Sequence, residues 1–327
     1  MVEKRLNVVF CGTSVFAVPA LEMLAASRHR VVAVVTQPDA PAGRGRVVMP
    51  PPVKVVAQRL GVEVQQPSQL VAAPILAALQ EYRPDLLVVV AYGRVLPPAW
   101  LATAPHGTVG LHASLLPRYR GASPIQRSIM SGDAATGVTT FRVVEEVDAG
   151  PIFRQREVWI QPDDTALTLG ERMARAGATL LAETVDALAA GGAQPRAQDH
   201  TAATYAPKLT KQDGLIDWTQ DADTLCRRVR ALVPWPSAYA ALGGRQVKIW
   251  KARVVASADA GAVSPGAVMS VVGGRLLVGT GRGLLALEEV QPEASQRMSG
   301  AAFIAGYRLQ PGMRFETRDS RPETRDL

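Results

Sequence analysis

The chain has 327 residues, of which 47% are hydrophobic and 20% charged, and it carries a formal net charge of +7. That length is generous for one hydrophobic core and suits two domains, and the balance of apolar and charged residues excludes a disordered or fibrous polypeptide. Cys11 and Cys226 are the only cysteines, one in each half, and neither has a C-x-x-C or His-rich setting, so a disulfide framework and a metal site are both excluded from the expectation.

The first apolar run, residues 6–11, follows a basic start and superficially imitates a signal peptide. Gly12, Pro19 and Glu22 interrupt it, and it reads better as a strand turning into a helix over 19–26. Cys11 is then a small buried residue at a strand end. The turn at 11–16 has one glycine where a dinucleotide fingerprint needs three, which weakens a dehydrogenase reading. No run of about eighteen apolar residues follows anywhere, so a cytoplasmic protein without a membrane partner is expected.

Residues 31–36 form the second predicted strand. The connection 39–52 is long and rich in proline and glycine, and it carries Arg44 and Arg46 with no acid after Asp39. Loops of that length are usually functional or disordered. Helical patterns over 53–60 and 70–82 precede a continuously apolar strand at 85–91 and another at 108–111, with a further helix at 124–130. Strands apolar on both faces belong inside a mostly parallel, doubly wound α/β sheet. Residues 137–144 and 151–160 then face each other as an antiparallel pair across 145–150, which makes this Rossmann-like sheet mixed.

Asp164 is placed to cap a helix running to about 189, with an apolar stripe of Leu169, Met173, Ala176, Leu180 and Ala187, and Gly191 and Gly192 end it. Residues 191–207 are small and polar without periodicity and read as a linker, so the expected domains are 1–190 and 208–327. In the second, residues 221–232 place Leu225, Val229 and Leu232 on one helix face. β-like runs follow at 237–242, 246–255, 267–272, 276–278 and 284–290, punctuated by glycine turns, and the charged tail 316–327 is expected to fray. Short strands with glycine turns suggest a smaller β-barrel, of which the OB-like type is the usual nucleic-acid binder. Residues 201–327 hold 17 basic and 12 acidic side chains, an excess of five that attracts polyanions.

The chemistry concentrates where the strand at 108–111 ends. His112 would stand at the carboxyl end of that strand, where ligands of open α/β sheets collect, and imidazole can hold or release a proton near neutrality. Asp148 lies in the loop of the antiparallel pair, from which a carboxylate can turn back toward His112. Taken singly, the two read as a structural histidine and a turn-forming aspartate.

The string from His112 to Gly121, His-Ala-Ser-Leu-Leu-Pro-Arg-Tyr-Arg-Gly, closely resembles the signature loop of the 10-formyltetrahydrofolate-dependent formyltransferases. Residues 11–19, 36–46 and 91–93 also fit that family, as do Tyr205-Ala-Pro-Lys-Leu209, Ile216-Asp-Trp218 and Pro234-Trp-Pro236. The pattern is most similar to its methionyl-tRNA formyltransferase branch, over nearly the whole chain. The resemblance implies a catalytic domain followed by an OB-like tRNA-binding domain, with 10-formyltetrahydrofolate as co-substrate, no metal, initiator methionyl-tRNA as acceptor, and a monomer. It implies catalytic roles for His112 and Asp148. It implies folate contacts from Ser114, Leu115, Leu116 and Pro117, and from Tyr92, Gly93, Leu96 and Pro97. For tRNA it points to Arg44 first and Arg46 second. Lys208 and Lys211, near the domain boundary, could neutralise phosphates.

One position departs from the pattern. The family carries Asn two residues before the histidine, where its amide is thought to bond the formyl oxygen as it becomes an oxyanion, and this chain has Gly110. Losing one such donor typically costs ~10²–10³ in rate. A backbone amide, an ordered water, a side chain from another loop or a slower enzyme are the alternatives. So are two other readings of the whole chain: a formyltransferase acting on an amino sugar nucleotide, and a catalytically weakened tRNA-binding protein.

Overall fold

A computed structural model of the chain describes residues 4–42, 47–255, 264–270 and 275–316. The chain forms two compact units. The first holds the described residues up to Pro124 together with Ala135–Trp159 and Leu169–Pro207; the second holds Ile125–Ala134, Ile160–Thr168 and the described residues from Lys208 onward.

In chain order the elements of the amino-terminal half are β1 (Asn7–Gly12), α1 (Val18–Ala25), β2 (Arg30–Val35), β3 (Ala40–Ala42), β4 (Val47–Met49), α2 (Pro52–Arg59), β5 (Val64–Gln65), α3 (Ala73–Glu81), β6 (Leu86–Val90), α4 (Pro98–Leu101), β7 (Thr108–His112), α5 (Pro124–Ser131), β8 (Ala135–Arg142), β9 (Ile152–Trp159) and α6 (Ala166–Ala189). Seven of these strands build one sheet in the order β5-β2-β1-β6-β7-β8-β9. The first five are parallel, and the pairings β7–β8 and β8–β9 are antiparallel, which is the mixed, mostly parallel Rossmann-like sheet. Alternation along each strand sends Val9, Cys11 and Leu87 to one face, where they pack with Ile75 and Leu79 of α3 and Trp100 of α4. Each such side chain, removed fully from water, contributes roughly 1.5–3 kcal/mol. Burial pushes the Cys11 thiol up to about 12, so it acts as a small apolar side chain.

Sheet order reverses at β1, with β2 on one side and β6 on the other. This leaves a crevice at the carboxyl ends of the strands, the usual ligand position in such sheets. The backbone there is pinned: the Thr13 hydroxyl and the Gln37 amide both donate to the Tyr92 carbonyl at 2.8 Å. Gly93 takes φ +81, and a Cβ on it would meet the Gln37 amide at 2.5 Å.

The described residues of the connection 39–52 include two short strands that its composition does not suggest. β3 and β4 pair antiparallel across it, Ala40 opposite Met49 and Pro41 opposite Val48. Arg44 and Arg46 lie outside the described residues. The stretch 191–207 is fastened to the first unit rather than spanning free. Arg196 and Ile152 exchange backbone hydrogen bonds at 2.7 and 2.9 Å, and Ala206 donates to the Arg120 carbonyl at 2.7 Å.

The second unit adds α7 (Ala222–Ala231), β10 (Ala238–Leu242), β11 (Arg245–Val255), β12 (Val268–Ser270), β13 (Leu276–Gly279), β14 (Leu284–Pro292), β15 (Met298–Ser299), α8 (Gly300–Tyr307) and β16 (Phe315–Glu316). Its strands run in the order β12-β13-β14-β11-β10-β16. Backbone bonds from Val268 to Met313 and from Phe315 to Gly266 bring the two ends together, so the antiparallel sheet closes into a small barrel. Bulges in β11 around Lys251 supply the curl. Inside lie Ile249, Leu285, Phe303 and Phe315, with Trp218 tilted against Phe315 at 5.5 Å between ring centroids. Helix α8 is absent from the periodicity reading and exists because Phe303 is buried in this core.

Candidate active site

His112 is the last residue of β7, opposite Thr139 of β8. Beyond it the chain folds into a loop braced from beneath. The Ser114 hydroxyl donates to the Arg118 carbonyl at 2.5 Å, while Thr139 donates its hydroxyl to the Ser114 carbonyl and accepts from the Leu116 N–H. Leu116 is buried with Phe141 and Ile152. The loop then returns past the imidazole, and Nε2 of His112 stands 2.8 Å from the Tyr119 carbonyl oxygen. Two residues further, the Gly121 N–H donates to Oδ2 of Asp148 at 2.8 Å. Gly121 has φ +113, and a Cβ there would meet the Ala206 carbonyl at 2.8 Å, so glycine is required at this crossing.

The same Oδ2 of Asp148 approaches Nδ1 of His112 at 3.5 Å. This contact is longer than a strong hydrogen bond. The side chains retain 9% and 16% of their exposure. Each imidazole nitrogen therefore faces an oxygen acceptor. A neutral ring can donate to only one of them, whereas an imidazolium donates to both.

Gly110, where the resemblance leads one to expect Asn, is covered by a neighbouring ring. It lies opposite Phe141 in the β7–β8 ladder. A Cβ at position 110 would meet Cε1 and Cζ of Phe141 at 2.5 and 2.7 Å and the Val143 side chain at 3.1 Å. The phenyl ring thus occupies the space that a side chain at 110 would take, and the two residues form a complementary pair.

Of the residues expected to meet folate, Leu96 and Pro97 line a cavity of about 280 Å³ with Leu70, Val71, Val95, Pro98 and Glu145. Its apolar walls and single carboxylate suit a flat, partly polar ring. Glu145 shares a loop with Asp148 and is not singled out by the sequence. Tyr92 is buried among the core residues of the sheet, and that burial pushes its phenol up to about 12. Ser114 and Leu116 are buried as loop supports, and Leu115 and Pro117 are half-buried. Lys208 and Lys211 are exposed on the second unit. Two further polar residues escaped the sequence reading. The Arg120 guanidinium is only 2% exposed, and Gln198, from the stretch read as a linker, is bonded to it. Among the described residues no cluster of three or more His, Cys, Asp or Glu is arranged to hold a metal, and no helix is long and apolar enough to cross a membrane.

A mixed α/β sheet with an imidazole and a carboxylate converging at the carboxyl end of its strands is an arrangement suited to a group-transfer enzyme. Residues 4–185 match the formyl transferase family, and residues 208–308 match the formyl transferase carboxyl-terminal domain. The methionyl-tRNA formyltransferase of Geobacter metallireducens is 42% identical over 94% of this chain and 98% of its own length, and that of Desulfotalea psychrophila is 44% identical over 94% of each. The chain belongs to the methionyl-tRNA formyltransferase family. Among solved structures, an N-formyltransferase from Helicobacter canadensis, in complex with folinic acid and dTDP-3-aminofucose, superposes with a TM-score of 0.65 at 14% identity, covering 90% of this chain and all of that one. HypX from Aquifex aeolicus in complex with tetrahydrofolic acid gives 0.62 at 18% identity, covering 93% of this chain and 47% of HypX. At those identities the likeness concerns the fold.

Proposed function

We propose that this chain transfers the formyl group of 10-formyltetrahydrofolate to the α-amino group of methionine esterified to initiator tRNA, yielding N-formylmethionyl-tRNA for translation initiation. It does so in the cytoplasm, as a monomer. The observation that carries the reading is the approach of His112 and Asp148 at 3.5 Å at the carboxyl ends of the sheet, in a chain that matches both domains of the family. The neutral amine attacks the formyl carbon, a C–N bond forms, and the carbonyl oxygen gains negative charge. The attacking nitrogen then sheds a proton and the folate N10 takes one as its bond to the formyl carbon breaks. The His112–Asp148 pair suits the role of holding that proton between the two events, because each imidazole nitrogen has an acceptor at hand. Leu96, Pro97 and Glu145 form one wall of the folate site, and Lys208 and Lys211 contribute to tRNA binding.

The test is formation of formylmethionine from methionylated initiator tRNA and 10-formyltetrahydrofolate, with an amino sugar nucleotide as the competing acceptor. Product from tRNA alone is expected. His112→Ala should lower turnover by about 10²–10⁴ while leaving tRNA affinity unchanged. Product from the sugar nucleotide alone would replace this reading with the amino-sugar alternative, and tight tRNA binding without product would replace it with a weakened RNA-binding protein.

A further inference from the structure

Asp148 is held by a distant segment of the chain as well as by Gly121. Its backbone has φ +54, a left-handed conformation that costs a non-glycine residue energy unless its surroundings impose it. The side chain of Gln198 braces it. Its amide nitrogen donates to the carbonyl oxygens of both Asp148, at 2.8 Å, and Gly150, at 2.7 Å, so one NH₂ group grips the two peptides that flank the turn. Its carbonyl oxygen is gripped in turn by Arg120, whose Nη2 and Nε donate to it at 2.8 and 3.2 Å. Arg120 also reaches Oε1 of Glu146, in the Asp148 loop, at 3.3 Å. Arg120 stands between Tyr119 and Gly121, the residues whose backbone meets His112 and Asp148. Gln198 therefore fixes the distance between the two loops that carry the catalytic pair. It is itself only 6% exposed, so water does not compete for these bonds.

We infer that Gln198 is a positioning residue for formyl transfer, acting through the backbone of Asp148 to keep its carboxylate facing Nδ1 of His112. The inference rests on the roles proposed above for those two residues. Gln198→Glu separates positioning from architecture. The new carboxylate keeps, and charge-assists, the bonds from Arg120, but presents an acceptor where two carbonyls need a donor. The full-length variant is expected to fold with a lowered melting temperature, because two buried carbonyls lose their donor, and to show a kcat lowered by up to about 10²-fold, since displacing a catalytic group by an ångström from a distance has that effect. KM for both substrates should change by less than about twofold. The new carboxylate of Gln198→Glu can move the pH profile of kcat by its charge alone, so that profile is read in an uncharged variant, where a purely architectural role leaves it in place. The uncharged variant is Gln198→Asn. It retains both functional groups but cannot reach both loops, so the same loss of kcat and shifted profile are expected. Wild-type kcat and an unmoved pH profile in the folded variant, with His112→Ala inactive, would overturn the positioning role alone. An active His112→Ala would overturn the site beneath it.

Discussion

At the scale of single residues, Gly110 and Phe141 decide how the site can be altered. Restoring an asparagine at 110 looks from the sequence like a repair, yet its Cβ would lie 2.5 Å from the Phe141 ring, which is buried against Leu116 and Ile152. Gly110→Asn alone is therefore expected to destabilise the fold by about 1–3 kcal/mol, the usual cost of overpacking, without raising kcat. Combined with Phe141→Val, which withdraws the ring, part of that stability should return, and urea denaturation of both single variants and the double variant measures the coupling. A Gly110→Asn variant as stable as the wild type would mean that the ring yields freely and the pair is not complementary. His112 and Asp148 could be singled out in the sequence only through the family motif around them, because taken singly an imidazole at a strand end and an aspartate in a loop read as structural. Phe141 could not, since only strand register reveals which side chain covers a glycine. Gln198 was hidden for a different reason: its stretch has no periodicity, and its value lies in two carbonyls about fifty positions earlier.

At the scale of elements, legibility follows how local the cause is. Helix α7 declares itself: Leu225, Val229 and Leu232 recur at helical spacing and are all fully buried, and Asp221 precedes them as cap. Helix α8 does not, because Gly300 and Gly306 weaken its local propensity and the burial of Phe303 in the barrel supplies what they withhold. The strands β3 and β4 are equally illegible, being three residues each in a proline-rich run. The cap of α7 gives a test with a pH signature. The Thr224 N–H donates to the Asp221 carboxylate at 2.8 Å, and this backbone bond, with the Thr224 hydroxyl, holds the carboxyl below its ordinary value against the opposing effect of burial. Asp221→Ala should cost about 1 kcal/mol at neutral pH. A carboxyl depressed by folding contributes stability fully above its unfolded value of about 3.9 and loses it as pH falls through the lower folded value. The gap between wild type and Asp221→Ala should accordingly narrow in acid, as followed by thermal melts across pH 2 to 7. A gap that stays constant would remove the ionised cap from the account.

At the scale of the whole molecule, the relevant quantity is charge and where it resides. Residues 201–327 carry 17 basic and 12 acidic side chains, most of the net +7 of the chain, so the barrel half supplies most of the attraction for a polyanion. Part of that positive charge is already committed within the protein: Lys251 and Arg253 both pair with Glu288, and Arg297 lies 3.4 Å from the centre of the Trp250 ring. Lys208 and Lys211 are exposed on the same unit and are suited to phosphate contact. Neutralising phosphates releases condensed counterions, so affinity must fall with salt at a slope set by the number of contacts. With about five contacts, tRNA binding is expected to weaken by about 10²–10³ between roughly 50 and 200 mM monovalent salt. Replacing both Lys208 and Lys211 by alanine should lower that slope by about two and weaken initiator and elongator tRNAs alike, because phosphate contacts carry no base identity. Fluorescence anisotropy across a salt series reads both quantities. An unchanged slope in the double variant would take these lysines out of the interface, and a flat response in the wild type would make electrostatic capture of tRNA untenable for the molecule as a whole.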